Sequence, residues 1–194
     1  MNLRPMRVAL VGKKNAGKDT VADQLCATHG FTRIAFADLM KEMLHVGLGI
    51  PREVLYGPAA IKEEIDPRFG VSIRYMLQTI GTEWGRNLIH ERIWITRMLD
   101  EILPAREGAE GILRWVVSDV RQLNEAAALK AAGFTLVRIV RPDSSTGKHE
   151  NHASETEQDQ IVADVELQND ADLEALFAQV EFFVAWHLWP SETP

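Results

Sequence analysis

An α/β fold, with a mostly parallel central sheet and helices on both of its faces, is predicted for this 194-residue chain by three observations. Short apolar runs alternate with segments of helical periodicity. The first apolar run, Val8-Ala9-Leu10-Val11, stops at Gly12 and is followed closely by Gly17-Lys18 at the head of a helical pattern. Later runs also close on polar residues, at the strand ends where parallel sheets bind ligands.

The segment Gly12-Lys13-Lys14-Asn15-Ala16-Gly17-Lys18 completes the G-x-x-x-x-G-K spacing of a phosphate-cradling P-loop between a strand and a helix. The fold class thereby sharpens to a P-loop NTPase three-layer sandwich with a small lid. Backbone N–H groups of such a loop, together with the helix N-terminus, hold nucleotide phosphates. Lys18 is expected to reach the β- and γ-phosphates. Asp19 stands where Ser or Thr is usual, and Thr20 follows one position late. Both are candidates for Mg²⁺, directly or through water. Lys13 and Lys14 add positive charge. The plainer alternative is a glycine turn that only joins strand to helix.

The remaining elements follow in order. Thr20–His29 reads as a helix with Val21, Ala22, Leu25 and Cys26 on one face, stopped by Gly30. Phe31–Phe36 reads as a strand and 38–48 as a helix. The stretch 47–70 is irregular, broken by Pro51, Gly57, Pro58 and Pro67. A long helix is predicted over Ser72–Ile89, with Ile73, Leu77, Ile80, Trp84 and Leu88 as its apolar stripe. Another runs from Arg92 to Leu103 and ends before Pro104, with 107–111 a turn. Ile112–Ser118 is a strand closing on Asp119. A helix over 124–132, a strand over 135–140, a polar lid over 141–155 and a strand over 161–167 follow. Asp170 is the expected cap of a last helix that packs Leu173, Leu176, Phe177, Val180, Phe183 and Val184 inward. Residues 190–194 read as a frayed tail. The whole, 1–194, reads as a single P-loop domain with a helical region over about 38–105.

Composition limits the function classes. Hydrophobic residues make up 46%, enough for one core, and the formal net charge is −7. That balance argues against general nucleic-acid binding, yet a nucleotide needs only a local cationic pocket. No apolar run has the length of a membrane span, and no signal peptide is visible. The single Cys26 allows no internal disulfide, and a cytoplasmic location is expected.

Asp119, at the close of an apolar strand beside a P-loop, stands where a magnesium-organising carboxylate belongs. Its alternative is a turn or cap residue. Arg121 follows as a candidate for transition-state charge, or for an ion pair with Glu125. Arg74, Gln78, Thr82 and Arg86 recur at four-residue spacing on the long helix, a polar stripe suited to a phosphorylated acceptor. The alternative is a solvated face. Gly81 and Gly85 on that helix permit close approach. Asp38 and Lys41 are further acceptor-side candidates. Arg141 could serve the transition state or stack on adenine.

These residues resemble the phage-type deoxynucleoside monophosphate kinases, within the wider P-loop nucleoside monophosphate kinase family. The likeness runs in order through Gly12–Thr20, Phe36–Lys41, Leu77–Arg86, Ser118–Glu125, Val137–Pro142, His152–Glu155 and Asn169-Asp170. The resemblance implies phosphoryl transfer from ATP to a deoxynucleoside monophosphate, with Mg²⁺. Lys18, Arg121 and Arg141 would be catalytic. The loop 12–20 would bind the donor, and Asp38, Lys41, Arg74, Gln78, Thr82 and Arg86 the acceptor. Asp19, Thr20 and Asp119 would serve the metal. A homodimer is consistent with the resemblance and with Trp186 and Trp189, which could equally pack on the protein's own core. Two other readings share the P-loop. One is a kinase for another phosphorylated metabolite, of the phosphomevalonate or dephospho-coenzyme A type. The other is a nucleotide-binding protein without an acceptor.

Overall fold

The computed structural model describes residues 5–142 and 157–188. They divide into two compact units, one comprising residues up to Ile34 and from Leu103 onward, the other Ala35–Ile102. The expected lid lies almost wholly outside the described residues, as do Trp189 and the tail.

The first unit is built on a five-stranded parallel sheet. Its strands are β1 (Met6–Val11), β2 (Thr32–Ile34), β5 (Arg114–Val120), β6 (Thr135–Val140) and β7 (Val165–Gln168), in the order β2-β5-β1-β6-β7. Alternation along the strands sends side chains to both faces. Val8, Leu10, Val116, Val137 and Ile139 join Val21, Ala22 and Leu25 of α1 (Lys18–His29) in one core. The same core takes Leu176, Val180, Phe183 and Val184 of α9 (Leu173–Leu188). Arg7 and Trp115 point the other way, where Glu107 of α7 (Leu103–Glu110) binds both, its Oε1 accepting from Trp115 Nε1 at 2.9 Å. α8 (Leu123–Ala131) buries Ala126 and Leu129 beside β6. Helices therefore cover both faces, as expected.

Several boundaries differ from the periodicity. Pro104 does not end a helix: it is the second residue of α7, which continues directly from the helical turns of Thr96–Ile102. Residues 161–164 are not strand. Instead Asp164 imitates one: its N–H donates to Leu136 O at 2.8 Å and its Oδ2 accepts from Leu136 N–H at 2.8 Å. The cap of α9 is Asp172, whose Oδ1 accepts from Ala175 N–H at 2.9 Å, and not Asp170. Leu173 is exposed at the head of that helix.

The second unit is helical, with α2 (Phe36–Leu48), α3 (Arg52–Leu55), α4 (Ala59–Glu63), α5 (Ile73–Gln78) and α6 (Ile93–Ile95), and a short antiparallel ladder of β3 (Ile65–Asp66) and β4 (Val71–Ser72). Its core is Leu44, Ile50, Leu55, Ile73 and Met76. The expected long helix is present, but past Gln78 it widens into π-type turns over Thr79–Ile89, and Thr96–Ile102 does the same. The wider turn rotates the buried face. Ile73, Leu77 and Ile80 pack as predicted, but beyond them Gly81 and Gly85 are buried while Trp84 and Leu88 are exposed. Close approach is what these glycines allow. A Cβ on Gly81 would lie 2.7 Å from Met40 Sδ, and one on Gly85 2.6 Å from the Trp94 ring. Trp94 Nε1 donates to Gly81 O at 2.8 Å.

Among the described residues no helix is long and apolar enough to cross a membrane.

Candidate functional site

The loop after β1 has the backbone its glycines predict. Gly12 has φ +151° and Gly17 φ +107°, values that side chains disfavour. A Cβ on Gly12 would also lie 2.6 Å from Ile139 O. Gly17 is the N-cap of α1, so the first N–H groups of that helix open onto the loop. Ala16 is buried and anchors the loop's apolar side. Asn169, the residue after β7, donates from Nδ2 to Ala16 O at 2.8 Å.

Lys18 lies back over its own loop, its ammonium donating to Gly12 O and, at 2.8 Å, to Lys13 O. Asp19, exposed on the first turn of α1, pairs with Arg33. Arg33 also reaches Asp23 at 3.1 Å and donates from Nε to Ser118 Oγ at 2.9 Å. Burial works against its charge, but Asp19 and Asp23 outweigh it and hold the guanidinium above its usual range. Lys13 faces Asp159 at 3.6 Å.

A cleft of about 470 Å³ is lined by Asn15, Gly17, Lys18, Asp19, Thr20 and Arg141, with residues 169 and 171–173. The fold thus brings the loop, the α1 N-terminus and Arg141 together at the C-terminal ends of parallel strands. Asp119 and Arg121 are not among the residues lining it. Asp119 sits on β5 at the level of the loop, since Val11 pairs with Val120. Glu125 is buried, and its Oε2 accepts from the backbone N–H of Arg121 at 2.9 Å and of Gln122 at 3.2 Å. Its carboxylate therefore acts as a helix cap.

In the helical unit, Asp38 accepts from Ala35 N–H at 3.0 Å and meets Lys41 Nζ at 3.0 Å. Lys41 lies 4.2 Å from the centre of the Tyr56 ring. Burial and the nearby Asp38 carboxylate push the Tyr56 hydroxyl up, and it donates to Glu42 Oε1 at 3.1 Å. Arg74 pairs with Glu63 of α4. Thr82 and Arg86 are half-buried and Gln78 is exposed. A cleft of about 1050 Å³ in this unit is lined by Met43, Val46, Trp84, Ile93 and Trp94 among others, and by none of the six expected acceptor residues.

Sequence reasoning gave no role to Gln158 or to the Asn169 side chain. Gln158 is 4% exposed and donates from Nε2 to Gly12 O at 2.6 Å. Asn169 was findable, because it follows a parallel strand whose end the pattern placed one residue early. Gln158 carried no signal, lying in no periodic element.

Three comparisons bear on this arrangement. The family model described as deoxynucleotide monophosphate kinase matches residues 58–180. A candidate deoxynucleotide monophosphate kinase of Acanthamoeba polyphaga mimivirus is 31% identical over 189 residues, covering 89% of this chain and 93% of that protein. The deoxynucleotide monophosphate kinase of Enterobacteria phage T4 is 28% identical over 111 residues, covering 57% of this chain. That match spans only 44% of the T4 protein. Among solved structures, shikimate kinase from Aquifex aeolicus superposes with a TM-score of 0.54 at 15% identity, covering 96% of this chain and all of that one. A Thermus thermophilus protein does so at the same TM-score and 14% identity, covering 94% of this chain and 97% of that one. These superpositions establish the fold alone.

Proposed function

Since the chain belongs to the deoxynucleotide monophosphate kinase family, we propose that it transfers the γ-phosphoryl group of ATP to a deoxynucleoside monophosphate. The cleft shared by Lys18, Thr20 and Arg141 carries this reading, because it joins a helix N-terminus to two cations where a polyphosphate needs both.

An oxygen of the acceptor phosphate attacks the γ-phosphorus in line. The bond from that phosphorus to the β–γ bridging oxygen breaks, and ADP leaves with the electron pair. The attacking phosphate is already anionic near neutral pH, so no strong general base is required. Catalysis then rests on positioning and charge neutralisation. Loop amides and Lys18 hold the donor phosphates. Arg121 and Arg141 meet charge on the transferring group. Asp38, Lys41, Arg74, Gln78, Thr82 and Arg86 serve the acceptor, with Glu63 orienting Arg74.

The donor chemistry fits Mg²⁺, which takes oxygen ligands and is held by one or two carboxylates together with substrate phosphates. Among the described residues no group of three or more His, Cys, Asp or Glu could hold a metal ion. Thr20 and Asp119 are the donors we assign, while Asp19 is engaged by Arg33. The ion would neutralise charge on the β- and γ-phosphates.

The reading includes a homodimer. Phe182 and Trp186 on α9 are each 70% exposed and stack 6.2 Å apart, an aromatic pair suited to a second copy.

The test is ADP release over dGMP, dTMP, dCMP and dAMP, with phosphomevalonate and dephospho-coenzyme A alongside. Turnover that depends on a deoxynucleotide supports the reading. Turnover only with another metabolite, or ATP binding without acceptor-dependent turnover, overturns it.

A further inference from the structure

Two side chains share one acceptor at the floor of the loop. Lys18 Nζ and Gln158 Nε2 both donate to the carbonyl oxygen of Gly12, the amide at 2.6 Å. Gly12 has φ +151°, and a Cβ there would lie 2.6 Å from Ile139 O, so the loop backbone packs closely on β6 at this point. Gln158 is fixed from behind. Its own carbonyl accepts from Arg138 Nη2 at 3.2 Å, as does that of Ile161, and Arg138 belongs to β6. The next residue, Asp159, faces Lys13 of the same loop. The short stretch 158–161 is thus a strut between β6 and the phosphate loop, with a buried amide at its tip.

For Lys18 to bind a phosphate, its ammonium must leave the Gly12 oxygen. A carbonyl deprived of its donor in a water-poor place raises the free energy of that state. A second donor already in place removes most of this penalty. We infer that Gln158 is a positioning residue for the donor nucleotide: by keeping the Gly12 carbonyl satisfied, it releases Lys18 to the phosphates. It touches neither substrate. The inference rests on the reading of the loop as an ATP site.

The geometry makes Gln158 matter only in partnership with Lys18, which a double-mutant cycle can read. Binding of a fluorescent ATP analogue is measured for the full chain and for Gln158→Met, Lys18→Met and the double variant. Methionine approximates the volume of glutamine and carries no donor. Gln158→Met is expected to weaken binding about 3- to 10-fold, as loss of one hydrogen bond would. In the Lys18→Met background the same change should have almost no effect.

Equal weakening in both backgrounds would mean that Gln158 merely supports the loop, and would overturn the inference. So would binding left unchanged by Gln158→Met when Lys18 is intact. If Gln158→Met does not fold, as judged by its thermal transition, Gln158→Asn takes its place, since it stays polar but cannot span the same gap. A wild-type chain that binds no ATP analogue overturns the ATP-site reading itself. Binding without coupling overturns only the role of Gln158.

Discussion

Arg33 Nε donates to Ser118 Oγ at 2.9 Å, and through that bond β2 is tied to the strand that carries Asp119. The rest of the guanidinium grips Asp19 and Asp23, one turn apart on α1. One side chain thus joins the first turn of the loop helix to β5. Arg33→Met should weaken ATP-analogue binding several-fold and lower the thermal midpoint, and Arg33→Lys should recover only part of each, since an ammonium cannot replace a planar fork. Paired titrations and melts check this.

Lys18→Ala should lower turnover by about 10²–10³-fold, the range found when a single donor to a developing charge is lost. Its thermal midpoint should stay close to that of the parent, because the Lys18 ammonium donates to carbonyls of its own loop, Gly12 O and Lys13 O. Steady-state kinetics beside a melting curve separate the two effects.

Arg74→Ala should raise the acceptor KM by about 10- to 100-fold, the scale of a charged hydrogen bond, with little change in the KM for ATP. An unchanged acceptor KM would assign Arg74 to its ion pair with Glu63 alone.

Gly85→Ala should destabilise by about 1–3 kcal/mol through overpacking, because its Cβ would meet the rigid Trp94 ring at 2.6 Å and Ile80 O at 2.7 Å. Gly81→Ala should cost less. Its Cβ meets Met40 Sδ, and a methionine side chain can move aside. Urea denaturation of the two variants gives the ordering.

Asp164 predicts an acid limb. Burial opposes its charge, but Lys130 and the Leu136 N–H hold its carboxyl below the usual carboxylate range. A depressed folded-state value means that its contribution is present above the unfolded pKa and is lost as pH falls through the folded one. Asp164→Asn should therefore lower the melting temperature at pH 7 by about 2–4 °C, with the difference from the parent shrinking below about pH 4. Melts across pH check the sign.

Most of the first unit was legible in the chain. The P-loop, the alternation of strand and helix, and the polar residues at strand ends are local patterns, and a parallel sheet follows from them. The helical unit was harder. Its long helix was expected, yet the outward positions of Trp84 and Leu88 were not, because 3.6-residue periodicity cannot foresee π-type turns. Expected acceptor residues meet local carboxylates there, Lys41 with Asp38 and Arg74 with Glu63. A charged residue's nearest counter-ion leaves no trace in spacing alone.

By itself, the sequence determined the phosphate loop and the sheet it hangs from, because backbone conformation and hydrophobic alternation are set within a few residues. Only the tertiary structure decided that Gln158 reaches the Gly12 carbonyl across 146 residues and that Arg33, from β2, claims Asp19. Such side-chain bonds depend on how strands order in the sheet, and strand order is an outcome of packing the whole core.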